Sequence, residues 1–370
     1  MEGETIDLHD LATVLLRERL LTEPRFKNCR LREVNDGSRP LDCLPPHLHL
    51  QAMEAMPIPR AAYFLLDDSE TEEIETGQTS TVTDVIEPST FKHPNFTSTS
   101  TSPLSDTELE TIFWQCKDHD SGYVLAHSMQ IVLDSFPEST KLCVQTSRGL
   151  SIVCGAHEFW IVESPIKLHQ PSFICKSTTG TQPQLGPAIV GYVLDELPLV
   201  CLIFGGEEAA EYSTDIYGRV MLDLAAPMLG MRGLGGEIFA MERLRDYQHE
   251  ILSRVAYEYD ELRHSGRIRS PPDSQKLEEA NQLANRVRAR LEKIMEGTET
   301  FCGYCGKVNP AMRCFRCKQT QYCTDACQNN AWKYHKTCDD EVMVCLWNVT
   351  CFLSFDDVLC ILIVSCFVFL

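Results

Sequence analysis

The sequence predicts an α+β body, a helical hairpin C-terminal to it, and a small module held together by two metal ions. Three observations carry this reading. Short apolar runs rich in β-branched and aromatic residues, cut by Gly, Pro and Ser, fill the middle of the chain. Two long stretches at helical spacing follow them. Seven cysteines and one histidine then crowd into the 37 residues from Cys302 to Cys338. With 370 residues, 44% hydrophobic and 23% charged, the chain has room for two or three globular domains.

In residues 1–66, the opening TIDLHDLATVLLRERLL places Ile6, Leu8, Leu11, Val14, Leu15 and Leu21 mostly at helical spacing, so the segment is helical at first and irregular after. Residues 67–110 change character. DDSETEEIETGQTSTVTD and NFTSTSTSPLSD are rich in acid, Ser and Thr with few large apolar groups, the composition of a flexible linker. Ser102-Pro103 there reads as solvated chain rather than a modification site.

Residues 111–236 hold the runs LCVQT, LSIVC, FWIV, AIVGYVL and LPLVCLIFGG, read as a mixed sheet with helices such as VLAHSMQIVLDSF packed on it. Residues 237–297 read as the hairpin. In the first arm Ile238, Met241, Leu244, Ile251, Val255, Tyr259 and Leu262 make one stripe before the break at SGRIRSPP. Asp273 caps the second arm and Gly297 stops it; its seam is Leu277, Ala280, Ala284, Val287, Leu291 and Ile294. Fewer than three heptads favour pairing within the chain over a dimeric coiled coil.

The ligands come as Cys302-x-x-Cys305, Cys314-x-x-Cys317, Cys323-x-x-x-Cys327 and His335-x-x-Cys338, four pairs each able to hold one ion by two donors. Eight ligands make two tetrahedral sites. Thiolate and imidazole are borderline-soft donors that favour zinc, and four protein ligands close the site, so both ions are structural. A disulfide framework would need a secretory context, and the chain opens with no charged n-region and apolar run. An iron–sulfur cluster would leave His335 idle.

The order CGYCG, RCFRC, QYC, TDAC, AWKYH, KTC resembles a MYND-type zinc finger over residues 302–338, about a tenth of the chain. The resemblance implies interleaved ligands: one zinc on Cys302, Cys305, Cys323 and Cys327, the second on Cys314, Cys317, His335 and Cys338. Tyr322 and Trp332 sit where the family has aromatics, while the last spacing is one residue shorter than the family's. It also implies a protein-docking module that takes short proline-containing peptides, hence an adaptor in transcriptional or protein-turnover regulation.

Lys307, Arg313, Arg316, Lys318, Lys333 and Lys336 face one acid, Asp325, within the finger. They read as solubilising charge, and a net charge of -20 on the whole chain opposes phosphate binding, so no nucleic acid partner is expected. Cys29, Cys43, Cys116, Cys143, Cys154, Cys175 and Cys201 show no pairing pattern and read as buried reduced thiols of a cytoplasmic or nuclear protein.

Residues 341–370 form a hydrophobic tail. Asp356 and Asp357 near its middle cost about 2.5–3.5 kcal/mol each on insertion, and the clean run of 13 residues after them is too short to span a bilayer. A membrane anchor, a buried core element and an atypical terminus all stay open.

No catalytic residues are expected. GGEEAAEY, Gly205 to Tyr212, resembles part of the active site of SET-domain lysine methyltransferases, which use S-adenosylmethionine, but the Asn-His-x-Cys motif and the post-SET cysteines are missing. Glu207 and Glu208 read as a solvated loop. MRGLGGEIF lacks the spacing of a dinucleotide-binding turn. Asp118 and Asp120 open a calcium-like loop that no glutamate closes. His157 and Glu158 are adjacent, so on a strand they would face opposite ways and share no metal.

Overall fold

A run such as LPLVCLIF has no polar alternation, so a strand made from it must be buried on both faces. The computed structural model, which describes residues 5–22, 29–35, 61–67, 91–100, 102–117, 121–177, 189–205, 219–259, 263–269, 273–316, 318 and 320–335, places it so. Strand β7 (Phe159–Ser177) and strand β8 (Ile189–Phe204) pair antiparallel along most of their length. Pro165 faces Pro198 across them, which spends the two residues that cannot donate on one rung. Val200, Leu202 and Phe204 point into one core, and Leu199, Cys201 and Ile203 into the other.

This pair is the spine of a nine-stranded sheet. On the β8 side lie β9 (Val220–Asp223) and β10 (Ala240–Arg243); on the β7 side lie β3 (Ala62–Asp67), β2 (Cys29–Asn35) and β4 (Lys92–Ser98), while β11 (Ala256–Tyr259) and β12 (Arg263–Ser265) pair with the rest of β7. Helix α2 (Asp106–Lys117) covers the second core through Leu109, Phe113 and Cys116.

The first core lies under helix α1 (Leu8–Thr22), helix α3 (Gly122–Asp134) and helix α4 (Ser274–Met295). It also meets a small sheet in which β1 (Thr5–Asp7) runs parallel to β5 (Lys141–Gln145), itself hairpinned to β6 (Ser151–Gly155). Residues 1–66, 111–236 and 237–297 therefore contribute to one core.

The helical hairpin of residues 237–297 is not formed. Its first arm becomes β10, a short helical stretch over residues 244–255 whose middle, Tyr247–Leu252, is a π-turn, and then β11 and β12. Tertiary pairing overrides helix propensity here, because β9 and the free edge of β7 offer ladders to Ala240–Arg243 and Ala256–Tyr259. The apparent stripe splits: Met241 points into the first core, and Leu244 and Ile251 into the second. Tyr247 donates to the buried Asp223 at 2.7 Å, which pins the π-turn to β9.

The second arm forms as α4. Asp273 accepts from the Lys276 amide at 2.9 Å, and Gly297 leaves the helix at φ +70°. Its partners are α3 and α1 rather than the preceding segment. Ser128 donates to the Ala280 carbonyl at 3.1 Å, where two small residues let the α3 and α4 backbones approach. The linker reading of residues 67–110 is also corrected within the described part: β4 runs parallel to β2, with Phe91 buried beside Phe113.

Cys29, Cys116, Cys143, Cys154 and Cys201 are buried and form no disulfide. Residues 341–370, and Cys43, lie outside the described residues. Among the described residues no helix is long and apolar enough to cross a membrane.

Candidate metal centre

A turn that offers two thiols to one ion must curl its backbone tightly, and the turns that begin at Cys302 and Cys314 close with the same backbone hydrogen bond. The Gly306 amide donates to the Cys302 carbonyl at 2.9 Å, and the Lys318 amide donates to the Cys314 carbonyl at 3.0 Å. The donor residue is left-handed in each, Gly306 at φ +70° and Lys318 at φ +60°. Glycine adopts that region freely; lysine does so at a cost of about 1–2 kcal/mol, so the second turn is held there by its surroundings. The turns are joined by the two-residue strands β13 (Met312–Arg313) and β14 (Gln321–Tyr322), with the Gly303 amide donating to the Gln321 carbonyl at 2.9 Å.

Helix α5 (Asp325–His335) closes the module. Thr324 precedes it, and its hydroxyl accepts from the Cys327 amide at 3.2 Å. Cys327 thus stands in the first turn, where the helix dipole favours a thiolate. His335 is eight residues on, roughly 12 Å along the axis, so the helix carries one candidate ligand at each end.

The sulfurs of Cys302, Cys305, Cys323 and Cys327 lie within 4.8 Å of one another, with Cys305 and Cys323 3.6 Å apart. A disulfide would need about 2.05 Å, whereas thiolates on a tetrahedral zinc at about 2.3 Å stand roughly 3.8 Å apart. The set fits zinc. Thiols this close share protons unevenly: donation from Cys305, then Cys323 and Cys327, holds the Cys302 thiol far below its ordinary value. The same sharing with Cys302 pushes Cys305 far up. A divalent cation would relieve that competition.

Of the other four predicted ligands, the structure brings together Cys314 and His335, with Nε2 3.2 Å from Sγ. Thr320 Oγ1 lies 3.3 Å from His335 Nδ1 and orients the ring. Tyr322 meets that ring edge-on at 6.2 Å, and Trp332 lies 6.0 Å away. Cys317 and Cys338 lie outside the described residues. So do Glu207, Glu208 and Tyr212 of the SET-like string, and Asp118 and Asp120.

His157 and Glu158 occupy the turn between β6 and β7 rather than a strand. His157 Nε2 lies 3.0 Å from the Phe136 carbonyl, and Glu158 accepts from the Gly155 amide at 2.8 Å. The basic side chains are mostly at the surface. Arg316 lies over the Trp332 ring at 5.8 Å, and Lys333 donates to the Gly235 carbonyl at 3.3 Å. Phe315, between Cys314 and Cys317, is 91% exposed.

Sequence reasoning missed the residues that seat this module on the body. Tyr304 donates to the Gly236 carbonyl at 3.1 Å, and the Tyr334 ring lies tilted against buried His9 at 4.5 Å. The glycine-rich turn at residues 231–236 makes room for them: a Cβ on Gly235 would come within 2.4 Å of the Tyr334 hydroxyl. Those glycines are visible as a turn, but their partners Tyr304 and Tyr334 lie about 70 and 100 residues away.

Residues 302–338 match the family model of the MYND finger. No curated protein and no solved structure matches the chain. The segment is thus a MYND finger with four cysteines arranged to bind a metal ion, on a mixed α/β body.

Proposed function

We propose that the protein is a non-enzymatic adaptor whose finger binds two structural zinc ions and docks a peptide of a partner protein. The observation that carries this is the sulfur cluster of Cys302, Cys305, Cys323 and Cys327, matched by a second turn of the same shape that holds Cys314 beside His335. By that likeness Cys317 and Cys338 complete the second site. A zinc ion closed by four protein ligands has no position for water or substrate, so it supplies rigidity rather than chemistry. MYND fingers are generally protein-interaction modules, which supports a protein partner. The exposed Phe315 and the half-buried Trp332 give the finger aromatic side chains of the kind that proline-rich peptides use. The work of such an adaptor would be in the cytoplasm or nucleus, in transcriptional or protein-turnover regulation. The methyltransferase alternative rests on the string GGEEAAEY alone, whose Glu207, Glu208 and Tyr212 lie outside the described residues.

Two measurements on the full-length protein test this. Elemental mass spectrometry should find two zinc ions per chain and one in Cys338→Ser; one or none in the parent removes the second site. Fluorescence polarisation against a panel of labelled proline-containing peptides should then show binding that a zinc chelator abolishes. Binding that survives chelation would place it elsewhere, and no binding across the panel would refute the peptide class.

A further inference from the structure

A side chain buried at 5% exposure while charged must have its donors taken, and Arg290 of α4 has them taken by three different parts of the molecule. Nε donates to Glu299 Oε1 at 2.6 Å, in the connector that leads into the finger. Nη1 donates to Glu18 Oε1 at 3.1 Å, on α1. Nη2 donates to the Gly306 carbonyl at 2.5 Å, in the turn that carries Cys302 and Cys305. One guanidinium fork thus ties two helices of the body to the first metal site.

The other side of that turn is equally engaged. Gly306 sits so close to α1 that a Cβ there would come within 2.8 Å of Arg17 Cβ and 2.9 Å of the Thr13 carbonyl. Phe301, one residue before the first ligand, belongs to the first core of the body. Tyr304, between the two ligands, is spent on the Gly236 carbonyl, with Arg232 3.5 Å from its hydroxyl. Every residue of the turn that is not a ligand, Gly303 apart, therefore touches the body.

We infer that Arg290 couples zinc at the first site to the packing of α1 on α4, so that metal binding and the order of this helix pair rise and fall together. An ion held by Cys302 and Cys305 would fix the turn that presents this carbonyl, and a turn released from the ion would withdraw the acceptor from a buried cation. Arg290 would keep the carboxylates of Glu18 and Glu299, but its buried Nη2 would lose its acceptor, which is expensive, so the helix pair must loosen to rehydrate it. Coupling of this kind is reciprocal: loss of the fork must weaken zinc binding in turn. This rests on the zinc reading proposed above, yet it fails separately.

The test has two arms on the full-length protein. In hydrogen exchange of the unmodified chain, stripping zinc with a chelator should speed the amides of α1 and the C-terminal half of α4 together with those of the finger, while β7 and β8 stay protected. In zinc competition titrations, Arg290→Lys and Arg290→Ala should weaken one ion about ten- to hundredfold, the range expected for loss of one charge-assisted hydrogen bond. Unchanged exchange in α1 on chelation overturns the coupling even if neither variant folds, and folded variants with unchanged zinc affinity overturn the role of Arg290. A parent chain that binds no zinc would instead refute the metal reading.

Discussion

The body and the finger solve the same problem with opposite means. The body sandwiches one sheet between two apolar cores, so that adjacent residues of β8, such as Leu202 and Ile203, are both buried while pointing opposite ways. The finger's own cluster consists of Cys302, Cys314, Tyr322 and Ala331, with Tyr304, Cys305, Cys323 and Cys327 packed against it. So little apolar surface cannot offset the entropy of ordering a segment this short, and the metal must supply the difference. The body should thus yield to loss of side-chain volume and the finger to loss of ligands.

The largest effect expected is on the finger. Cys327→Ser should unfold residues 301–335 and release their zinc altogether, since structural zinc contributes on the order of 10–16 kcal/mol in finger peptides. Amide exchange should show the finger unprotected and β7 and β8 unchanged; a finger still protected without its ion would contradict the contrast. In the body, Phe204→Ala should cost about 3–5 kcal/mol by leaving a cavity between β8 and the helices. Denaturant unfolding should show that loss with both zinc ions retained.

The smallest and most graded effect is that of pH, and it should run in opposite senses. Burial raises Asp7 and Asp223 to about 6 and Glu242 to about 7. Each carboxyl holds its proton better in the folded chain, so its contribution is full below its ordinary value and is lost as pH rises through 6 to 7. Burial also lowers His9 to about 4, which works the other way: that contribution is full above about 6.5 and lost as pH falls. Burial also raises Glu237 and lowers His127, so the raised carboxyls outnumber the lowered imidazoles, and the body of the chelator-treated protein should melt lower at pH 7 than at pH 5.5 by circular dichroism. Zinc retention should instead fall towards acid, because protons compete for the thiolates. Parallel trends would refute the separation.

The same contrast explains what could be read in the sequence. The four-cysteine metal site was legible because Cys302-x-x-Cys305 and Cys323-x-x-x-Cys327 are local pairs and thiol chemistry admits few spacings. The strands of β5 to β8 and the helix α4 were legible because apolar runs, the Asp273 cap and Gly297 act within a few residues. The first arm of the supposed hairpin was not, because Ala256–Tyr259 becomes a strand only by meeting Ile166–Leu168, about 90 residues earlier. The strand β4 hid in a polar composition for the same reason, since its ladder partner is β2. In sequence Arg290 is one charge next to the seam residue Leu291, and only the approach of Glu18, Glu299 and Gly306 gives it a role.

X-ray absorption at the zinc edge of the full-length protein tests the central claim most directly. The account predicts two ions per chain in purely protein shells, one of four sulfurs and one of three sulfurs and an imidazole nitrogen, with zinc–sulfur distances of about 2.3 Å. A single ion, or a shell containing water oxygen, would contradict it.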